Sequence, residues 1–295
     1  MSHLHGQGIA VPPILLTIAG FDPSCGAGVA ADLKTFAAHG CYGMAAITAI
    51  TVQNTQGVEA VHNTPSKELR EQLEVLVKDS EIAAVKIGML GNVANAKLVA
   101  EFLDAHKFAH VVHDPVLRSS SDAELMDSAG VKYLAEELLK RSTVITPNVL
   151  EAAVLTGISI KDVPSMEAAA KKLVEMGAKA VIVKGGHMER AIDVVFDGKE
   201  SHGLIGDKIK MENTHGTGCT FASAITAQLA AGRGLVEAAT LAKAYVVKAI
   251  EKAYPVGKGR VPLDHFYRMR IEPLARGTHE VPQHGLHPAA EPAAH

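Results

Sequence analysis

The sequence predicts an α/β fold built on a mostly parallel sheet, and three observations carry that expectation. Short β-branched runs alternate with longer amphipathic stretches from Ile14 to Ala253. The 26 glycines fall largely at the joints between those runs, where strand and helix must be turned into one another. Hydrophobic residues make up 47% of 295 positions against 21% charged, enough apolar material for one large core.

Taken in order, Ile14–Ala19, Met44–Thr51, Ala83–Ile87, His110–Val112, Val144–Ile145 and Ala180–Lys184 read as strands. Cys25–His39, Ser66–Val77, Ala94–Ala105, Ala123–Leu139, Val149–Leu155, Met166–Met176, Thr217–Ala231 and Leu235–Ala253 read as helices. Alternation at this spacing builds βαβ units, hence a parallel sheet covered by helices on both faces. Between Ala191 and Lys210, short strand-like segments around Asp197-Gly198 predict an antiparallel edge hairpin. No shift in composition marks a linker. The expected organisation is a single domain over 14–270, a flexible segment over 1–13 and a disordered Pro/His-rich tail over 271–295.

Composition excludes several classes of function. A net charge of −3, with 5 Tyr, 7 Phe and no Trp, offers nucleic acid neither a basic surface nor a stacking platform. No apolar run reaches the ~18 residues that span a bilayer. Pro12 and Pro13 break the one apolar run near the N-terminus, so no signal peptide is read. Three cysteines, Cys25, Cys41 and Cys219, are an odd number without framework spacing. A cytoplasmic protein is expected. Six of the 15 histidines (His3, His5, His279, His284, His287 and His295) lie in the two ends, where a metal site would lack preorganisation.

Ligands of such sheets sit at the carboxyl ends of the strands, so the residues just after each strand are the candidates for chemistry. Gly20-Phe21-Asp22-Pro23-Ser24-Cys25-Gly26-Ala27-Gly28 follows the first strand. Gly26 to Ala31 fits G-x-G-x-x-A, but six residues separate it from the strand end, and no carboxylate lies in Ala45–Gln53 to meet a ribose. A glycine loop admitting a small ligand fits better, beside the alternative of a plain turn. His215-Gly216-Thr217-Gly218-Cys219-Thr220 opens an apolar helix; its glycines and the helix N-terminus can form an anion site for a transferring phosphoryl group. Cys219, in the first turn, is expected to have a lowered thiol pKa, against the alternative of a buried cap residue. In Thr146-Pro147-Asn148-Val149-Leu150-Glu151, Asn148 and Glu151 share a helix face and suit either a hydrated Mg²⁺ or a helix cap. Lys184-Gly185-Gly186-His187 delivers a lysine for phosphate or for solvent. His113-Asp114-Pro115-Val116 carries a strand-end carboxylate or merely a turn. G-x-x-x-x-G-K-[ST], C-x-x-C, H-E-x-x-H and G-x-S-x-G are all absent. The sum of these loops is phosphoryl transfer.

Eight segments in this order resemble the hydroxymethylpyrimidine/phosphomethylpyrimidine kinases of thiamine biosynthesis, within the ribokinase-like fold family. They are Thr17–Ser24 with Gly26-Ala27-Gly28, Ala31–Phe36, Thr48–Asn54, Val85–Leu90, Asp114-Pro115-Val116, Thr146–Ala152, Val183–His187 and Gly216–Thr220. The resemblance implies a three-layer α/β/α sandwich and a homodimer. It implies an ATP- and Mg²⁺-dependent kinase that phosphorylates 4-amino-5-hydroxymethyl-2-methylpyrimidine and then the monophosphate. In that reading Cys219 stands where sugar kinases of the fold carry an aspartate base, with Gly216, Thr217 and Gly218 forming the anion hole. Ala27, Gln53, Met89 and Val116 line the pyrimidine pocket, with Asp32 nearby. Lys184, Thr217 and Asn148 meet ATP, while Asp114, Asn148 and Glu151 organise Mg²⁺. The carboxamide of Gln53 has the donor and acceptor that an aminopyrimidine edge requires.

Phe21, Cys25 and the lid segment Leu117-Arg118-Ser119-Ser120-Ser121 depart from the family pattern. Arg118 is either a phosphate contact or a solvated loop residue. A pyridoxal kinase of the same fold is the alternative reading, and the lack of a lid cysteine between Leu117 and Asp122 favours the pyrimidine. A non-catalytic ligand-binding protein on this scaffold is the distant one.

Overall fold

The computed structural model describes residues 11–119, 122–186, 192–206 and 214–269. Residues 1–10 of the segment expected over 1–13, the tail expected over 271–295 and the histidines in both lie outside the described residues, as do His187 and Ser120-Ser121.

The chain runs β1 (Ile14–Phe21), α1 (Gly28–Ala38), β2 (Tyr42–Asn54), β3 (Gly57–Asn63), α2 (Ser66–Asp79), β4 (Ala84–Ile87), α3 (Val93–Ala105), β5 (His110–His113), α4 (Ser128–Tyr133), β6 (Val144–Ile145), α5 (Val149–Thr156), α6 (Val163–Glu175) and β7 (Val181–Val183). It continues through β8 (Ile192–Phe196), β9 (Ser201–Ile205), β10 (Thr214–His215), α7 (Thr217–Ala230), α8 (Leu235–Glu251) and β11 (Val261–Pro262). Nine strands form one sheet in the order β3-β2-β1-β4-β5-β6-β7-β8-β9. The six strands from β2 to β7 pair in parallel, and β8 and β9 turn antiparallel, as the Asp197-Gly198 hairpin predicts.

Successive residues of a strand face opposite sides, and both sides are apolar here. Leu16, Ile18, Val85, Ile87, Val181 and Val183 pack against α2, α3, α5 and α6 through Leu73, Phe102, Leu155 and Leu173. On the other face Val112, Ile182 and Val195 meet Phe221, Ile225 and Tyr245 of α7 and α8, while Leu15 meets Phe36 of α1. The result is the expected three-layer sandwich. From β1 the chain runs to β2 on one side and later to β4 on the other, so a crevice opens between the carboxyl ends of β1 and β4.

Two local expectations are corrected. β3 adds a second antiparallel edge beside β2. The helix expected over Ala123–Leu139 begins only at Ser128, where the Asp127 carboxylate accepts from Gly130 N. Its upstream part is extended: Leu125 N donates to the Leu117 carbonyl, Arg118 bridges Glu124, and Gly91 bridges Met126. Those main-chain bonds outcompete helix formation by a short apolar stretch. Downstream the helix passes into a π turn at Leu134–Leu138.

Candidate active site

The loops after β1, β2, β4, β5, β6 and β7 and the loop before α7 converge at the carboxyl edge of the sheet. Asp22 organises the first, after β1. Its Oδ1 accepts from Ser24 N and Ser24 Oγ, and its Oδ2 accepts from Gly26 N and Ala27 N. Burial raises the Asp22 carboxyl, but hydrogen bonds from His215 and Ser24 outweigh it and hold the group below its ordinary value.

The loop before α7 packs directly onto this one. Gly216 caps α7 with φ +84°, and a Cβ there would overlap the Gly26 carbonyl, so the two glycine loops lie backbone against backbone. With no side-chain cap, the first-turn N–H groups of Thr217, Gly218 and Cys219 have no intrahelical partner. A Cβ on Gly218 would lie 3.1 Å from Lys184 Nζ and 3.5 Å from Asp114 Oδ2. The strand-end lysine and carboxylate therefore stand at the helix N-terminus, as an anion site requires.

Lys184 Nζ donates to Asp114 Oδ1 at 2.6 Å, and Thr146 Oγ1 donates to the same oxygen at 3.1 Å. Burial raises the Asp114 carboxyl, but Lys184 and then Lys86 pull it below its ordinary value. Glu151 stands close by. Burial first, and the Asp114 charge with it, push its carboxyl up to about 7 against the pull of Lys184. Two carboxylates with one nearby lysine leave negative charge in a low-dielectric pocket, which suits a hydrated divalent cation. At Asn148 and Glu151 the structure builds the helix cap: Asn148 Oδ1 accepts from Glu151 N, and Glu151 Oε2 accepts from Asn148 N. Among the described residues no group of three His, Cys, Asp or Glu is set to hold a metal on its own.

Of the residues expected to line a substrate pocket, Met89 and Val116 share an apolar cluster with Ala49, Val61 and Leu125. A Cβ on Gly20 would meet Met89 Sδ at 2.9 Å, which keeps the end of β1 open beside it. Ala27 belongs to the Asp22 loop. Gln53 ends 3.0 Å from His215 Nε2 and lines a small cavity with Ser119, His215 and Arg260.

Two expectations are corrected and one open alternative is decided. Asp32 is not at the pocket surface; it is fully buried, with Thr17 Oγ1 and Lys86 Nζ donating to Oδ2 and Ser223 Oγ to Oδ1. All its acceptor capacity is turned inward. The Cys219 thiol is not lowered but pushed up to about 11, because burial and the Asp32 and Asp114 charges outweigh Lys86 and a hydrogen bond with the Gly28 backbone. For Arg118 the structure decides between the two readings in favour of the solvated loop residue: it pairs with Asp122 and Glu124 on the exposed surface. Sequence reasoning missed the structural weight of Asp22, Lys86 and His215. A single lysine inside the apolar run Ala84–Ile87 was the signal for the second of these.

The phosphomethylpyrimidine kinase family model matches residues 22–264. A hydroxymethylpyrimidine/phosphomethylpyrimidine kinase of Haemophilus influenzae is 44% identical over 264 residues, covering 87% of this chain and 98% of the relative. A thiamine biosynthesis bifunctional protein of Geobacter sulfurreducens is 42% identical over 85% of this chain, which spans only 52% of that longer protein. Among solved structures, the pyridoxal kinase of Staphylococcus aureus in complex with AMP-PCP and pyridoxal superposes with a TM-score of 0.80 at 35% identity, covering 88% of this chain and 96% of that one. The phosphomethylpyrimidine kinase of Clostridium difficile gives 0.73 at 38% identity, over 81% and 99%. The crevice, its anion site and the match over nearly the whole length of a relative agree: this chain belongs to the phosphomethylpyrimidine kinase family.

Proposed function

We propose that this chain is an ATP-dependent kinase that phosphorylates 4-amino-5-hydroxymethyl-2-methylpyrimidine and then its monophosphate, in thiamine biosynthesis. The observation that carries the reading is the meeting of Lys184, Asp114 and Gly218 at the open N-terminus of α7, within a chain that matches a kinase of that name over 98% of its length.

In this reading the γ-phosphate of ATP rests on the N–H groups of Thr217, Gly218 and Cys219, with the Lys184 ammonium beside it. These donors are fixed before substrate arrives, so they stabilise charge that develops on the transferring oxygens without reorganisation. Met89 and Val116 wall the pyrimidine ring, Ala27 lies against it from the first loop, and Gln53 meets its amino edge. The hydroxymethyl oxygen is thereby directed at the anion site. Cys219 enters as a thiol, so its first role is to shape the site and accept a hydrogen bond from the hydroxyl, and proton removal is a late and minor event. Asp114 and Glu151, with the Asn148 cap beside them, would hold Mg²⁺, which would supply neutralisation of phosphate charge. Asp32 acts from below, as a support.

A homodimer in the cytoplasm belongs to the same reading. The exposed Tyr42, Ile50 and Val52 on β2 give such an assembly an apolar face, and no helix among the described residues is long and apolar enough to cross a membrane.

A second reading, phosphorylation of pyridoxal, is favoured by the superposition on pyridoxal kinase structures. Incubation with ATP, Mg²⁺ and either compound, followed by mass spectrometry, separates the two. Successive mono- and diphosphates of the pyrimidine are expected. Pyridoxal phosphate as the sole product would overturn the assignment.

A further inference from the structure

Gln53 stands at the end of β2, and its amide is held from two sides. The structure places Gln53 Nε2 on the side 3.0 Å from His215 Nε2 and Oε1 on the Thr51 side, and the same His215 Nε2 lies 2.8 Å from Asp22 Oδ2. The other terminal atom lies 3.1 Å from Thr51 Oγ1, which is also 3.1 Å from the Phe21 carbonyl. An amide's oxygen and nitrogen look alike in outline and are told apart by their partners.

Proton counting distinguishes them here. Asp22 accepts from Ser24 N, Ser24 Oγ, Gly26 N and Ala27 N, and a carboxylate in that setting can only accept. His215 Nε2 must therefore carry the proton that faces it. A nitrogen committed as a donor cannot also accept from an amide N–H, so the amide is flipped from that placement and Gln53 turns its oxygen toward His215. The Thr51 side agrees independently. One hydroxyl has one proton; Thr51 Oγ1 donates it to the Phe21 carbonyl and accepts from the Gln53 NH₂ group. The opposite orientation sets two donors face to face at His215 and asks Thr51 to donate twice.

We propose that Asp22, His215 and Thr51 lock the Gln53 carboxamide in one of its two orientations, and that this lock sets ring specificity in the pocket. The inference rests on the proposed pyrimidine kinase activity and deepens it. With oxygen toward His215 and nitrogen toward Thr51, one N–H and one oxygen lone pair are left in fixed order along the cavity edge. A ring whose hydroxymethyl group must point at the anion site then has one admissible edge: an exocyclic amino donor next to a ring-nitrogen acceptor. The 4-oxo counterpart presents a carbonyl acceptor next to a ring N–H donor and meets the locked amide donor to donor and acceptor to acceptor. His215 and Thr51 act through Gln53, as positioning residues.

The test compares kcat/KM for 4-amino-5-hydroxymethyl-2-methylpyrimidine and for its 4-oxo analogue in the unmutated enzyme, His215→Phe, Thr51→Val and His215→Gln. The unmutated enzyme is expected to favour the amino ring by about a hundredfold or more. In His215→Phe and in Thr51→Val the ratio should fall at least about tenfold, chiefly through a raised KM for the amino ring and a gained affinity for the oxo ring, with the KM for ATP held. His215→Gln keeps an N–H for Asp22 and should restore most of the ratio. Thr51→Val leaves the Asp22 loop intact and reads out the lock even where His215→Phe does not fold. A ratio unchanged in both variants, or an equal loss of kcat on both rings, overturns the lock alone. Absence of phosphorylation of either pyrimidine by the unmutated enzyme overturns the functional reading and the lock with it.

Discussion

Lys86–Asp32 and Lys184–Asp114 are both buried lysine–carboxylate pairs, 2.8 and 2.6 Å long, and both sit under the same helix N-terminus. They differ in what is left over. Both side chains of the first pair are wholly inaccessible, and Thr17 and Ser223 complete the shell around the carboxylate. In the second, 16% of the lysine side chain remains open, and the site is bounded by the uncapped first turn of α7 and a third charged group, Glu151. The same chemistry is closed in one place and open in the other. A satisfied pair fixes the packing of α1 and α7 on β1 and β4; an unsatisfied one is a binding site.

That contrast can be broken from either side, and the largest effect is expected at the closed pair. Asp32→Leu leaves Lys86 as an unpaired buried ammonium and should cost about 3–5 kcal/mol in a urea unfolding titration. Adding Lys86→Met should recover a large part of the loss, since an apolar pair of similar volume removes the stranded charge. A double variant no more stable than the single one would mean that the network, rather than the pair, bears the packing.

Next in size is Cys219, which borders both pairs. Cys219→Ala should lower turnover by less than about tenfold, as the shaping role requires; a loss of about a hundredfold or more would make the thiol the base. Its raised pKa gives a separate readout. Alkylation at Cys219, followed peptide by peptide, should climb with pH and show no plateau below pH 10, because the thiolate is formed only as pH nears about 11. A plateau near neutral pH would restore the helix-terminus expectation.

A smaller effect is expected where neither pair is involved. His265 shares a hydrogen bond with Thr220, and burial, then Lys34, push its imidazole down to about 4. The unfolded chain takes up that proton near the ordinary value of ~6.5. Between the two values the unfolded state binds more protons, so this contribution to stability falls as pH drops from 6.5 toward 4. His265→Gln should flatten the slope of Tm against pH in that window. His113, also pushed down to about 4 by burial, leaves a residual slope of the same sign.

The parallel sheet was legible because buried strands such as Leu15–Ala19, interrupted only by Thr17, and Val181–Val183 are largely apolar runs followed by glycine turns. β3 was not: its residues are all half-buried or exposed without regular alternation, and its strand character comes from pairing with β2. Leu125 and Met126 read as helix positions because apolar spacing cannot tell a helix face from an extended segment packed into a crevice. At the site, the loops carried their glycines, Lys184, Asp114 and Gln53 in plain view. The position of Asp32 was hidden because its partners are 15, 54 and 191 residues away. The Cys219 shift was hidden for the same reason: local sequence shows the helix terminus, while the opposing burial and charges come from other parts of the chain.

The most direct test of the division between the two pairs is to measure Tm and pyrimidine turnover side by side for Lys86→Met and Lys184→Met. Lys86→Met should lower Tm by roughly 10 °C. Lys184→Met should lower Tm by less, since 16% of its side chain is open and Asp114 keeps the Thr146 hydroxyl, while turnover falls by about a hundredfold or more. Equal thermal losses in the two variants, or turnover left intact in Lys184→Met, would contradict the account.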